Sequence, residues 1–313
     1  MRGIGFLLLA LLVCKYVVFS CSLTPLDRDG LRKFLESQYV PEAKLLRAAT
    51  RYCCDSRTIY IASDNLLASR ALTLLESPYA HIIMEELSRY NNGEDNQHEI
   101  LLGIDIPDDF YEASIITIST IYSKKFNTIF KIKFEIHNES NPIINDWELY
   151  ADLIVYRALD KLLQGSRSYA EYLFEKLMSM WDGYGFRDKA FNGKYDTYKL
   201  ALAIYLYRAL EIVNPRITMK YRGIIDRCYE TIYSLQRDDG GIITNYRVEH
   251  GRIIPIGDAN TETTSIVTLA IYSNYPITIG RQALRIHIPI IHILLLIVII
   301  VGTVIAVAIL FKA

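Results

Sequence analysis

Acidic residues stand where helices are expected to begin, at Asp64, Glu148, Asp152, Asp196 and Glu262. Close to them in the chain lie the aromatic residues Trp147, Tyr150, Tyr195 and Tyr198 and the amide Asn260. Gathered around one cleft, carboxylates and aromatic rings suit a sugar. Rings stack on its apolar faces, and glycosidic cleavage needs an acid together with a base or nucleophile. On that reading Asp64, Asp152 and Glu262 are the candidate catalytic groups. Trp147, Tyr150, Tyr195, Tyr198 and Asn260 are the candidate substrate-binding groups. The same positions have a plainer use. Side-chain oxygens at a helix start satisfy orphan backbone N–H groups, and negative charge there complements the helix dipole.

Other chemistries find less support. Lys199 is better read as an ion-pair partner of Asp196 than as a Schiff-base lysine. Trp181-Asp-Gly-Tyr-Gly-Phe186 lacks the strand and the Lys-Ser/Thr ending of a phosphate loop. No Gly-x-Ser-x-Gly elbow is present. Asp238-Asp239 before Gly-Gly is a tight turn in the first instance. His81, His98, His137 and His250 are scattered, and no Cys-x-x-Cys pair occurs, so no metal site and no cofactor are expected. Asn138-Glu-Ser140 forms a glycosylation sequon in a polar loop. Among the five cysteines, Cys53 or Cys54 could bridge Cys228 in an oxidising compartment; three free thiols is the alternative.

These residues need helices to position them. Apolar periodicity predicts helices over 31–52 (broken before Pro41), 61–75, 81–90, 147–163, 168–180, 197–213, 218–235 and 262–273. Between them, 114–122 and 128–136 alternate and are rich in β-branched residues. They predict a β-hairpin, inserted over 112–137 and lying outside the helical body. The fold class is therefore mostly α, with helical hairpins and one β insert.

A loose internal repeat runs through the chain. Four helices start polar and turn into runs of small apolar residues: Ser63-Asp-Asn-Leu-Leu-Ala68, Asp146-Trp-Glu-Leu-Tyr-Ala151, Tyr195-Asp-Thr-Tyr-Lys-Leu-Ala201 and Asn260-Thr-Glu-Thr-Thr264. Glycine-rich turns precede two of them. Repeated units of this length indicate stacked supersecondary elements that share a core. Gln236-Arg-Asp-Asp-Gly-Gly-Ile242 followed by Asn260-Thr-Glu-Thr-Thr264 resembles an α/α-toroid repeat, the architecture of terpenoid cyclases, prenyltransferase-like domains and six-hairpin glycosidases. The resemblance covers about residues 140–275. Squalene-cyclase-type repeats carry Trp where Ile242 stands, and the Asp-rich catalytic motif of those cyclases is missing, so their activity is not implied. What the resemblance implies is geometry: inner helices whose starts surround one cleft, and buried small residues such as Ala68, Ala151, Ala201 and Ala270.

The chain ends set its surroundings. Residues 293–311 carry no charge, and about 20 apolar residues in a helix cross a bilayer core. A transmembrane helix is expected over 286–311. At the start, Arg2, the apolar run Gly5 to Val13, and Val18-Phe19-Ser20 before Cys21 read as a signal over 1–22, cleaved or kept as an anchor. Arg281 and Arg285 precede the span and only Lys312 follows, which alone would favour the opposite orientation; the signal-like start outweighs them. Residues 24–284 are then one extracytoplasmic domain on the outer face of the cell membrane. The net charge of −1, with 34 basic and 35 acidic residues and no basic block, excludes nucleic acid as a partner. The expected partners are the membrane and a glycan or cell-surface polymer. The expected role is a surface binding or structural module, with a glycoside hydrolase or lyase as the alternative. A form of the chain ending between residues 273 and 280 should be soluble, while the full chain should need detergent. Full-length protein released into the soluble fraction by a carbonate wash would contradict the span.

Overall fold

Four helices made of small and apolar residues form the interior. The structure, a computed structural model, describes residues 26–51, 55–93 and 97–273. The expected signal, the expected span, Cys53 and Cys54 lie outside them. No helix among the described residues is long and apolar enough to cross a membrane.

The chain opens with α1 (Arg28–Ser37) and two short paired strands, β1 (Tyr39–Val40) and β2 (Leu45–Leu46). A 3-10 turn at Asp55–Arg57 leads into β3 (Thr58–Tyr60), a π-helical turn at Ile61–Asn65, α2 (Leu66–Leu74) and α3 (Tyr79–Leu87). The 3-10 turn Gln97–Leu102 precedes the hairpin of β4 (Ser114–Ser123) and β5 (Thr128–Ile136). Then come α4 (Ala151–Leu163), α5 (Arg167–Ser179), β6 (Tyr195–Asp196), α6 (Thr197–Val213) and α7 (Pro215–Ser234). The hairpin β7 (Ile243–Glu249) and β8 (Arg252–Ala259) leads into α8 (Thr261–Tyr272). The class is mostly α, as the periodicity requires.

Burial separates inner from outer helices. In α6, 12 of 17 residues are buried, and in α8, 9 of 12. In α7 only 5 of 20 are. The contacts make a closed circuit: α2 packs on α8, α8 on α6 and α6 on α4, and the Gln97–Leu102 turn touches both α4 and α2. Outer helices α3, α5 and α7 pack on α2, α4 and α6, and α1 packs on α8. Alanines at Ala68, Ala151, Ala201 and Ala270 are all buried, which lets the inner backbones approach closely.

The Gln236 to Ile242 turn works as a clamp. The Asp27 N–H donates to Gln236 Oε1 at 2.8 Å, and Gln236 Nε2 donates to Asp27 O at 3.1 Å. This holds the start of α1 against the end of α7. Gly240 has φ +87°, and a Cβ there would sit 2.0 Å from the Gly30 carbonyl oxygen. Only glycine meets both requirements.

Two stretches differ from their sequence pattern. Of the helix expected over 31–52 and broken before Pro41, only the first part forms, and the chain from Pro41 to Arg51 is not helical. Pro41 disfavours helical geometry at Val40, so the helix stops at Ser37 and the chain pairs β1 with β2. The β4–β5 hairpin forms where expected but does not stand apart from the body. β3 joins it in parallel to give the order β3-β5-β4, and Phe130 and Ile132 reach the core. Ala201→Phe should overpack the inner face and lower stability by on the order of 1–3 kcal/mol. An unchanged melting temperature would place that face in solvent.

Candidate functional site

All four inner helices are entered the same way. The residue before each is extended: Tyr60 (φ −94°, ψ 129°), Tyr150 (−116°, 125°), Asp196 (−90°, 122°) and Asn260 (−129°, 166°). An extended residue running straight into a helix aims the first turn's side chains back past the helix end. Asp152, Tyr198 and Glu262 each stand two residues beyond that entry residue, so they occupy one register on three helices. Asp64 stands four residues beyond Tyr60, because a π turn rather than an α turn opens the first helix.

Asn65 accounts for the π turn. It is fully buried, accepts from the Leu46 N–H at 2.7 Å and donates to Leu46 O at 3.0 Å and Tyr60 O at 2.6 Å. These bonds tie the turn to β2 and to the Tyr60 carbonyl. They fix Asp64 beside them, 4% exposed. π-Helical turns are uncommon and occur disproportionately at functional sites.

A cavity of about 470 Å³ opens at this end. That volume falls within the range of small-ligand pockets. Asp64, Glu262 and Asn260 line it, with Asp55, Tyr60, His98, Glu135 and Lys194. Thr244, Asn245, Gly257 and Asp258 from the β7–β8 hairpin complete the wall. Glu262 Oε1 lies 3.5 Å from His98 Nε2. Asp64 Oδ1 accepts from the Ser63 hydroxyl at 3.3 Å, while its buried Oδ2 has no hydrogen-bond partner. Glu135 Oε2 is a second buried acceptor without one. Asn260 caps α8 by accepting from the Thr263 N–H at 2.8 Å.

Crowded carboxyls in a water-poor space resist ionisation. Burial, then the charges of Glu262 and Glu135, hold the Asp64 carboxyl well above the usual range. Burial, then Glu135, Asp152, Asp196 and Asp55, push Glu262 up to about 8. Burial, then His137, push His98 down to about 3. At neutral pH the Glu262–His98 pair is therefore a neutral carboxyl facing a neutral imidazole.

The remaining sequence candidates have other partners. Asp152 does not line the cavity wall but sits behind it: its Oδ2 accepts from the Tyr198 hydroxyl at 2.7 Å, and its charge reaches Glu262. Trp147 packs on Phe110 with ring centres 5.6 Å apart. Tyr150 has the Lys189 ammonium over its ring. Tyr195 stacks on Tyr246 and donates to Asp182 at 2.5 Å. None of these three rings lines the cavity; the rings that do are Tyr60 and the His98 imidazole. Glu148 is ion-paired with Lys176, away from the wall. Lys199 is 5% exposed and bridges Asp188 at 2.8 Å and Asp196 at 3.0 Å. Burial lowers its pKa, but Asp152, Asp196 and Asp188 outweigh that and hold it raised and charged. Asp188 in turn accepts from the Ala151 N–H at 2.9 Å, tying α4 to α6.

Among the described residues Cys228 is a free, buried thiol, and no group of three or more His, Cys, Asp or Glu side chains could hold a metal ion. The sequence reading missed His98, Glu135, Asp55 and Lys194, and the β7–β8 wall. The hairpin did leave a signal: alternation on both sides of His250-Gly251, both in left-handed conformation, is the signature of a tight two-residue turn. His98 and Glu135 left none, because a 3-10 turn and a distant strand bring them in.

The titration of Glu262 has a measurable consequence. In the unfolded chain a glutamate titrates near ~4.3. From there to about 8 the folded protein keeps a proton that the unfolded chain has released. Stability must therefore fall as pH rises through that window. Glu262→Gln should lose this dependence and gain on the wild type by on the order of 1–4 kcal/mol between about pH 5 and pH 9. Urea unfolding in detergent at those two pH values checks it; an unchanged difference between the proteins would refute it. Compared with protein-family models, curated proteins and solved structures, the chain matches none.

Proposed function

We propose that this chain is a ligand-binding module of the outer cell surface, tethered by its C-terminus, with an α/α-toroid-like ring of helical hairpins as its frame. The uncharged run 293–311 and the signal-like first residues support the tether and the outer location. The contact circuit of α2, α8, α6 and α4, with an outer helix on each, supports the ring. The β4–β5 hairpin is its insert.

One observation carries the binding role: a cavity at the starts of the inner helices contains a buried carboxylate oxygen, Asp64 Oδ2, that no protein group satisfies. Leaving a buried acceptor unmet costs about 1–3 kcal/mol, and a ligand donor would recover that. A thermal-shift screen of the full chain in detergent against glycans and small polar molecules tests this. A ligand at a hundredfold excess over its Kd should add about 2.7 kcal/mol of stability. Asp64→Asn and Glu262→Gln should each remove most of that gain while leaving the fold intact. Ligands that bind both variants as tightly as the wild type would move the site elsewhere.

A second reading, a carbohydrate-active enzyme, has its own support. Glu262 holds a proton at neutral pH, as a general acid must, and other carboxyls are near. With Tyr60 and the His98 imidazole as the only rings on the wall among the described residues, sugar stacking is less well provided for than binding in general. Release of reducing ends from an oligosaccharide panel, lost in Glu262→Gln, would favour the enzyme.

A further inference from the structure

We propose that the occupant of this cavity is an organic cation, carrying a primary ammonium or guanidinium group that seats against Asp64, Glu135 and Glu262. The proposal deepens the binding-module reading and rests on it.

The wall carries five carboxyl groups, Asp55, Asp64, Glu135, Asp258 and Glu262. Asp258 is already met by Arg237 at 2.6 Å and by Thr50 and the Arg51 N–H. Asp55 accepts from the Tyr60 hydroxyl at 3.1 Å. That leaves Asp64, Glu135 and Glu262, with Lys194 as the one lysine or arginine lining the cavity. Two of these carboxyls carry buried oxygens with no donor, Asp64 Oδ2 and Glu135 Oε2. An ammonium brings three donors and a guanidinium five, and neither brings an acceptor. A sugar hydroxyl brings one donor and two lone pairs, so it meets fewer of these acceptors per group than a cation does.

Charge selects in the same direction. The carboxyls repel one another, and this repulsion, with burial, holds their protons on. A neutral ligand leaves those protons in place. A cation offsets the negative charge and allows the carboxyls to ionise, so binding releases protons. A metal ion is disfavoured, because among the described residues no three carboxylate, imidazole or thiol groups stand close enough to hold one. The tyrosine ring suits the alkyl stem of an amine.

The test is calorimetric titration of the full chain in detergent with agmatine and 1,5-diaminopentane. Pentane-1,5-diol and cellotriose are the neutral probes. At least one cation should bind, with proton uptake by the buffer, and its affinity should rise up to about tenfold per pH unit between pH 6 and pH 8, as release of one proton requires. Asp64→Asn and Glu262→Gln should each weaken it at least tenfold. Asp226→Asn, on the exposed face of α7, should leave it unchanged; an equal loss there would mean diffuse attraction and would overturn the proposal. Should cellotriose bind in an Asp64-dependent way while neither cation does, the cation proposal fails and the binding module stands. Should none of the four probes bind, and Asp64→Asn also leave every hit of the wider screen unaffected, both readings fall.

Discussion

Like charges collected in one water-poor space set the terms for everything around them. Asp64, Glu262, Glu135 and Asp152 would drive the helix starts apart if all were ionised at once. Several features of the fold relieve that strain in different places. Helix N-termini supply partial positive charge at Asp152 and Glu262. Lys199, buried between Asp188 and Asp196, is a fixed countercharge behind the wall, and Lys194 stands on the wall itself. The Tyr198 hydroxyl takes up part of the Asp152 charge. Relief is incomplete at Asp64 and Glu262, where protons remain bound. The protein thus keeps an unsatisfied electrostatic demand at one address, and that demand is what distinguishes a site from a set of caps.

The capping explanation can be judged residue by residue. Asn260 is a true cap: its side-chain oxygen accepts from a first-turn N–H. Asp152 comes close, with one oxygen on the Leu153 N–H and the other on a tyrosine. Asp64 caps nothing. Its helix starts with a π turn, its only side-chain bond is a long one from Ser63, and its second oxygen is buried alone. Stability alone would favour an apolar side chain there, since burying an unpaired carboxyl is costly. An unpaired carboxyl oxygen buried on a cavity wall is the feature that the proposed binding role accounts for.

How much of this was legible in the residues follows from how local each feature is. The inner helices were readable because small apolar faces repeat at helical spacing, and 197–213 matches the helix Thr197–Val213. The four polar helix starts were readable for the same reason, as was the β4–β5 hairpin from its alternation. Long-range pairings were not. β3 is three residues lying between two expected helices, too short for alternation to show, and its parallel pairing with β5 makes it a strand. The π turn depends on the Asn65 side chain meeting Leu46, 19 residues away in the chain. Aromatic residues near helix starts read as a stacking surface, but Trp147, Tyr150 and Tyr195 point to Phe110, Lys189 and Tyr246 instead. Proximity in sequence placed the carboxyls well because a helix fixes direction within one turn. It placed the rings badly because long side chains choose among several neighbours.

The cavity has two kinds of wall. One is built from helix starts whose backbones are locked by small-residue packing and by the bonds of Asp188, Asn65 and Asn260. The other comes from β5 and the β7–β8 hairpin, which contribute Glu135, Asn245 and Asp258. The two are joined by few bonds: Asn245 donates to Asp196 at 2.6 Å, and Thr50 and Arg51 donate to Asp258. Changing a residue on the helical wall disturbs the core that every inner helix shares. The strand wall also reaches that core, through Phe130, Ile132, Tyr246 and Ala259. Charge is therefore shared between the walls, with Asp64 and Glu262 on the helical side and Glu135 and Asp258 on the strand side.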